Sequence, residues 1–195
     1  MTNKLILDFI RKNCLETRSP EELMLGKLAG TRYSSQYYMA NLLYDQRMMQ
    51  EVCDEFYTLV VKNIGHFNFQ LAGRDWSAIP LLTTLPAMLY SSYHVRVNSF
   101  MIKRDRKTYG KHNFVEGIPN EKPVLLVDDL CNSTNSFWHC YQVCTNEQKL
   151  EMIPFIFAIV NKYKPSRDHM YQYDRYLAGH FKALYILDGD QVHGT

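Results

Sequence analysis

The chain has 195 residues, enough for one domain with a substantial core or at most two small ones. Hydrophobic residues make up 46% and charged residues 22%, which excludes global disorder, and the longest apolar run, PFIFAIV at 154–160, is far too short to cross a bilayer. With 22 basic and 20 acidic residues the formal charge is +2, so charge balance gives no global reason to expect nucleic acid.

Leu5, Ile6, Phe9 and Ile10 recur at helical spacing, so residues 3–14 are expected to form an amphipathic helix. Asp8 and Arg11 interrupt its apolar residues, unlike a secretory leader. Ser19-Pro20-Glu21-Glu22 is a helix-start signature, with Ser at the cap and Pro in the first turn. Met48, Val52, Phe56, Leu59 and Val60 share one face of a helix over 45–62. FNFQLA at 67–72 reads as a strand ending at Gly73, and 77–90 as a helix that tolerates Pro80 near its first turn. YHVRVNSFMI at 93–102 is β-rich, and a charged segment follows it. PVLLV at 123–127 is a compact apolar run of the kind a parallel strand buried on both faces produces. A helix at 136–148, a strand at 152–160 and a last strand, ALYIL at 183–187, complete the series. This alternation predicts one α/β domain, doubly wound, with a mostly parallel sheet and helices on both faces. Ligands bind beyond the carboxyl ends of such strands, so the chemistry is expected after residues 72, 102, 127 and 160.

Five cysteines (Cys14, Cys53, Cys131, Cys140 and Cys144) form an odd set without a close CxxC pair. They read as free thiols in a reducing, cytoplasmic setting rather than as zinc ligands. Cys140 and Cys144, four apart, read as one buried helical face, and His139 beside them as a weak redox hint at most.

Asp128 and Asp129 directly follow the apolar run. Adjacent side chains on a strand point to opposite faces, so two carboxylates are best tolerated where the strand frays into a crevice. There they accept from hydroxyls or hold a divalent cation. Leu130-Cys131-Asn132-Ser133-Thr134-Asn135-Ser136 then leads into a helix, and its amides and hydroxyls suit an anion. An acid pair beside an anion cradle describes a sugar phosphate. The plainer alternative is a solvated strand end with an Asn/Ser helix cap.

VLLVDDLCNSTNS at 124–136 resembles the phosphoribosyl-diphosphate-binding motif of type I phosphoribosyltransferases. LAGRDWSAIPL at 71–81 is similar to the diphosphate loop of the orotate phosphoribosyltransferase branch, and KRDRKTYGKHNFVEG at 103–117 to that branch's mobile catalytic loop. KLAGTRYSSQYYMANLL at 27–43 is similar to its Gly…Ser…Tyr segment, which makes 1–43 a hood packed on a single domain of residues 1–195. The resemblance implies that Asp128 and Asp129 hold the ribose hydroxyls, with Mg²⁺ bridging sugar and diphosphate. It implies that Asn132, Ser133, Thr134, Asn135 and Ser136 cradle the 5′-phosphate. Gly73, Arg74, Asp75, Trp76 and Ser77 would meet the diphosphate, and Lys103, Arg104 and Lys107 would close over it. Lys107 matches the loop lysine that reaches a neighbouring subunit's site in a homodimer. Lys162 stands where the orotate enzymes place an Arg on the orotate carboxylate; it keeps the charge and loses the bidentate fork.

The sequence also departs from the pattern. Thr134 and Asn135 replace paired glycines, Trp76 occupies the diphosphate loop, and Tyr109 stands for a family His. Trp76 is expected to pack, partly filling the pocket, and Arg74 to add compensating charge. Tyr33, Tyr37 and Tyr38 read as core and interface packing rather than base stacking. Two functions fit: a Mg²⁺-dependent transferase acting on a pyrimidine-like base or another nucleophile, or a non-catalytic module that senses a nucleotide. Nucleic-acid binding through the basic 103–112 segment has no second basic patch behind it.

Overall fold

The computed structural model describes residues 3–19, 24–25, 32–33, 35–105, 113–131, 135–162 and 180–193. Helix α1 (Lys4–Phe9) starts at Asn3, whose side chain accepts from the Ile6 amide, and continues as a π-helical turn over Ile10–Cys14. Strands β1 (Leu15–Thr17), β2 (Met24–Leu25), β3 (Arg32–Tyr33) and β4 (Ser35–Tyr37) follow as two small antiparallel pairs, β1 with β4 and β2 with β3. The helix-start signature lies outside the described residues from Pro20 on. Next come α2 (Ala40–Leu43) and α3 (Gln46–Asn63), the latter capped by Asp45, which accepts from the Met48 amide at 2.9 Å.

The remaining described residues build one sheet and its cover. Its elements are β5 (Gln70–Arg74), α4 (Asp75–Tyr93), β6 (Asn98–Ile102), β7 (Val115–Glu116), β8 (Val124–Cys131) and α5 (Asn135–Gln142). A π-helical extension over Val143–Glu147 then leads to β9 (Met152–Asn161), β10 (Lys182–Asp188) and α6 (Gly189–His193). The six strands lie in the order β10-β9-β8-β5-β6-β7, and β7 alone among them is antiparallel to its neighbour. Leu71, Leu125, Val127, Phe157 and Ile159 face the larger core with α1, α3 and α4. Ala72, Phe100, Leu126 and Ala158 face the other side, where Phe137, Cys140 and Cys144 cover them. Helices therefore close both faces, as the near-continuous apolar strands require. All five cysteines are buried, and none is in a disulfide. No helix among the described residues is long and apolar enough to cross a membrane.

Several boundaries differ from those the sequence suggests, each for a tertiary reason. β8 does not end at Val127; it runs to Cys131, because β9 extends to Asn161 and supplies ladder partners throughout. α4 spans Asp75–Tyr93 instead of 77–90 and carries Pro86 as well as Pro80, since Leu81, Leu82, Leu85 and Leu89 are buried on the sheet. Only Asn98–Ile102 of the β-rich 93–102 segment is strand, because His94 adopts a left-handed conformation (φ 55°) that caps α4. The buried Gln70 amide fixes the entry to the sheet. Its Nε2 donates to Asn120 O and Lys122 O at 2.8 and 2.7 Å, and its Oε1 accepts from Asn120 N at 2.9 Å.

Candidate functional site

From β5 the chain moves sideways to β6 and β7, then crosses back to place β8 on the opposite side of β5. The winding reverses between β5 and β8, the position where open α/β sheets bind ligands. These two strands pair from Gln70–Val124 to Ala72–Leu126, whereas β8 stays paired with β9 as far as Cys131–Asn161. Above Leu126, then, β8 has a partner on one side and a crevice on the other.

Gly73 sits where β5 leaves the sheet. A Cβ there would lie 2.4 Å from the Ala78 Cβ and 2.7 Å from the Val127 carbonyl oxygen, so only glycine lets α4 start this close to β8. Asp75 follows in a left-handed conformation (φ 55°), which costs a non-glycine residue about 1 kcal/mol. Its Oδ1 accepts from the Arg104 amide at 2.7 Å and so ties the exit of β6 to the turn. Arg74 reaches across the crevice, its Nη1 donating to Ser136 Oγ on α5 at 3.3 Å. Its Nε lies 3.3 Å from Asp75 Oδ2, close enough for an ion pair, but it is buried and makes no hydrogen bond. One guanidinium N–H therefore remains a free donor for an anion.

Asp128 lies inside β8 rather than at a frayed end, and it is 8% exposed. Its Oδ1 accepts from Ser77 Oγ at 3.3 Å and from the Asp129 amide at 3.0 Å. Burial first, and the adjacent Asp129 charge second, push the Asp128 carboxyl well above the usual carboxylate range. Among the described residues no cluster of three or more His, Cys, Asp or Glu side chains is placed to hold a metal. Two adjacent carboxylates do fit Mg²⁺, a hard cation that takes one or two protein oxygens and completes its shell with water and substrate phosphates. The repulsion that raises Asp128 is what such a cation relieves.

The remaining sequence-predicted residues divide. Asn135 and Ser136 open α5, one residue earlier than expected, facing Arg74 through Ser136. Asn132, Ser133, Thr134, Lys107 and Tyr109 lie outside the described residues. Lys103 is turned to Glu116 Oε1 (3.1 Å) and Asn113 Oδ1 (3.2 Å). Its carbonyl oxygen lies 3.0 Å from His139 Nε2, a contact between β6 and α5 that no sequence spacing signals. Trp76 does not pack: it is 87% exposed on the first turn of α4. Lys162 follows β9 directly, its amide donating to Cys131 O at 2.8 Å, and its half-buried ammonium lies 4.7 Å over the Tyr37 ring. Tyr37 and His193 join it from opposite ends of the chain, a grouping that no local pattern announces.

No family model matches the sequence, and no curated protein matches it. Solved structures do match. The orotate phosphoribosyltransferase of Aeropyrum pernix superposes with a TM-score of 0.71 at 16% identity, covering 97% of this chain and 96% of its own. The Mycobacterium tuberculosis orotate phosphoribosyltransferase in complex with 5-phospho-α-D-ribosyl 1-diphosphate gives 0.64 at 11% identity, over 97% of each chain. Adenine phosphoribosyltransferase from Saccharomyces cerevisiae gives 0.61 at 12% identity, over 94% of this chain and 99% of its own. The chain has the type I phosphoribosyltransferase fold. Within this phosphoribosyltransferase fold, β5 and β8 carry Gly73–Ser77 and Asp128–Asp129 to opposite walls of one crevice.

Gly73→Ala is expected to destabilise the protein by about 1–3 kcal/mol, because the contacts at the new Cβ are backbone and a short side chain that cannot swing away. Urea unfolding measures it, and an unchanged midpoint would mean that the turn relaxes freely. For Asp128 the sign runs with its raised carboxyl. Its contribution to stability is full below the ordinary carboxylate range and is lost as pH rises through the raised value. Asp128→Asn should therefore raise the thermal midpoint near pH 7, with the gain vanishing below about pH 4. An equal gain at both pH values would assign the effect to packing instead.

Proposed function

We propose that the protein is a Mg²⁺-dependent phosphoribosyltransferase that moves ribose 5-phosphate from phosphoribosyl diphosphate to a nucleophile, foremost the ring nitrogen of a pyrimidine-like base. The observation that carries this reading is the meeting, in one switch-point crevice, of the unsatisfied Arg74 Nε with an acid pair whose first member, Asp128, is buried. The structural neighbours described as orotate and adenine phosphoribosyltransferases, one of them bound to the sugar diphosphate, support the same class.

On this reading Asp128 and Asp129 accept from the 2′ and 3′ hydroxyls of the ribose and orient its anomeric carbon. The 132–136 segment, ending at the N-terminus of α5, holds the 5′-phosphate. Main-chain amides of Gly73–Ser77, with the Arg74 guanidinium, receive the diphosphate, and Lys103, Arg104 and Lys107 add positive charge around it. The bond from C1′ to the diphosphate oxygen breaks with its electron pair going to the diphosphate; the bond from the ring nitrogen to C1′ forms, and the nitrogen's proton leaves to solvent. Asp128 and Asp129 would hold Mg²⁺, which when bound would neutralise the charge that grows on the departing group.

One observation favours the non-catalytic alternative. The Asp75 carboxylate already takes the Arg104 amide and lies against Arg74, two groups a diphosphate would use. A site with a built-in anion binds a nucleotide without needing to turn over a diphosphate.

Calorimetry with phosphoribosyl diphosphate and Mg²⁺, followed by a diphosphate-release assay over a panel of bases, separates the two. The transferase binds and releases; binding without release on any base leaves the sensor. The double variant Asp128→Asn, Asp129→Asn should lose at least about tenfold in Mg²⁺-dependent affinity while keeping its fold by circular dichroism. Unchanged affinity would place the site elsewhere.

A homodimer belongs to the same proposal. Trp76, Thr83, Ala87 and Tyr90 lie exposed along one face of α4, and Asp75 is the only charged residue of that helix. The helix brings no charge to this face, and Arg96, 5.2 Å over the Tyr90 ring, lies at one end of it, so most of the face can meet its own two-fold copy without repulsion. Sedimentation at micromolar concentration should give a dimer that Trp76→Glu dissociates, and a monomer at all concentrations would end this part of the reading.

A further inference from the structure

The turn from β5 into α4 sets a carboxylate between two donors. Asp75 Oδ1 accepts from the Arg104 amide at 2.7 Å, and Oδ2 comes within 3.3 Å of Arg74 Nε without forming a hydrogen bond. The left-handed backbone at Asp75 (φ 55°) does not call for this charge, since glycine takes that conformation more easily and asparagine as easily. The charge answers to the donors instead.

Both donors are fixed independently of Asp75. Arg74 Nη1 donates to Ser136 Oγ at 3.3 Å, so α5 holds the guanidinium from the far side of the crevice. One residue before Arg104, the Lys103 amide donates to Phe114 O at 2.7 Å, and the Lys103 carbonyl oxygen lies 3.0 Å from His139 Nε2. A carbonyl only accepts, so Nε2 carries the hydrogen there. Ser136 and His139 are three positions apart and share one face of α5. The contacts therefore close into a circuit, from α5 through Arg74 and Asp75 to the exit of β6 and back to α5. Asp75 is its anionic member.

Asp75 is also free to move. Its side chain is 34% exposed against 20% for Arg74, so it can swing to water without crossing the core. An oxyanion aimed at the unsatisfied Nε would stand beside Oδ2, and two negative groups on one guanidinium repel each other. The carboxylate and a ligand oxyanion are then alternative occupants of one place.

We propose that Asp75 is an autoinhibitory stand-in for a ligand phosphate: its carboxylate closes the empty site, and a phosphate or diphosphate group enters only by displacing it from the Arg104 amide and from Arg74. That the displacing group is a diphosphate rests on the transferase reading; the displacement itself rests on the circuit of contacts. Asp75 thereby sets a threshold. A monoanion trades one negative charge for another, whereas a diphosphate brings several to the same donors.

Calorimetry of inorganic diphosphate on the full chain tests this, without Mg²⁺ so that no cation bridges the ligand to Asp75. Asp75→Asn keeps the shape of the side chain and an oxygen for the Arg104 amide, and it should bind diphosphate about ten- to a hundredfold more tightly than the wild type. Asp105→Asn removes an exposed carboxylate of the same segment outside the circuit, and its gain should stay within about threefold, the general effect of charge. Circular dichroism checks the fold of both variants. The wild type gives a reading that needs no substitution: its assigned Asp75 carboxyl-carbon resonance should move to that of a solvent-exposed aspartate as diphosphate saturates the protein. A gain in Asp75→Asn no larger than in Asp105→Asn, absence of binding to every form, or bound diphosphate that leaves the resonance in place overturns the inference. Phosphoribosyl diphosphate with Mg²⁺, titrated in parallel, decides the transferase reading separately. Its binding alongside any of those results keeps that reading, and its failure to bind any form ends it whatever inorganic diphosphate does.

Discussion

Beyond the Ala72–Leu126 pair, β5 and β8 stop sharing hydrogen bonds, and every polar group above that point must find another partner. β8 solves this by keeping its ladder with β9, which holds Asp128 in a strand instead of a loop. β5 solves it by turning at Gly73 into α4, so close that no side chain fits between the turn and Val127. The gap that results is strutted. Ser77 crosses it to Asp128, Arg74 crosses it to Ser136, and Asp75 ties the turn to the exit of β6. The first two struts cross from the β5 side to β8 and α5, and the third braces the turn against β6, so the crevice is a rigid consequence of the winding order, and a ligand there meets side chains placed before it arrives.

The electrostatics of this gap are balanced against themselves. Asp128 and Asp129 stand side by side with one of them buried, which raises the carboxyl of the first. A short distance away Arg74 keeps a buried N–H without a hydrogen bond, while Asp75 shares its ion pair. Neither arrangement is the cheapest way to fold a sheet edge. An unsatisfied donor and two crowded carboxylates both cost stability, typically on the order of 1–3 kcal/mol for a buried unpaired group. They make sense together for a ligand that brings anionic oxygens to the donor and hydroxyls or a cation to the acids.

The order of strands and helices was legible in the sequence because parallel strands buried on both faces leave continuous apolar runs, and 123–127 and 154–160 are such runs. The acid pair was legible because two charges after such a run have few places to go. Strand length was not: β8 continues past Val127 only because β9, thirty residues on, is long enough to pair with it. The exposure of Trp76 was hidden for a similar reason. Its apolar ring suggests packing, but Trp76 shares the face of α4 that carries the exposed Thr83, Ala87 and Tyr90, opposite the buried Leu81, Leu85 and Leu89. Lys103 looks in sequence like one of a run of loop charges, and only the β6–β7 pairing brings Glu116 beside it. The Tyr37–Lys162–His193 group is the extreme case, since 156 positions separate the two residues whose rings touch.

That separation divides the labour of the fold. Residues assigned to the sugar and its phosphates come from the sheet and its immediate turns, where the backbone is pinned by ladders and by the Gln70 amide. The groups around Lys162 come instead from β4 near one end of the described chain and α6 near the other, fastened to each other through Arg11 and the Tyr37–His193 contact. Alteration of either terminal segment changes the surroundings of Lys162 without touching a residue of the crevice between β5 and β8. A fold arranged this way can vary that group independently of the crevice, because a cluster built from distant segments is altered by one or two substitutions and the sheet is not.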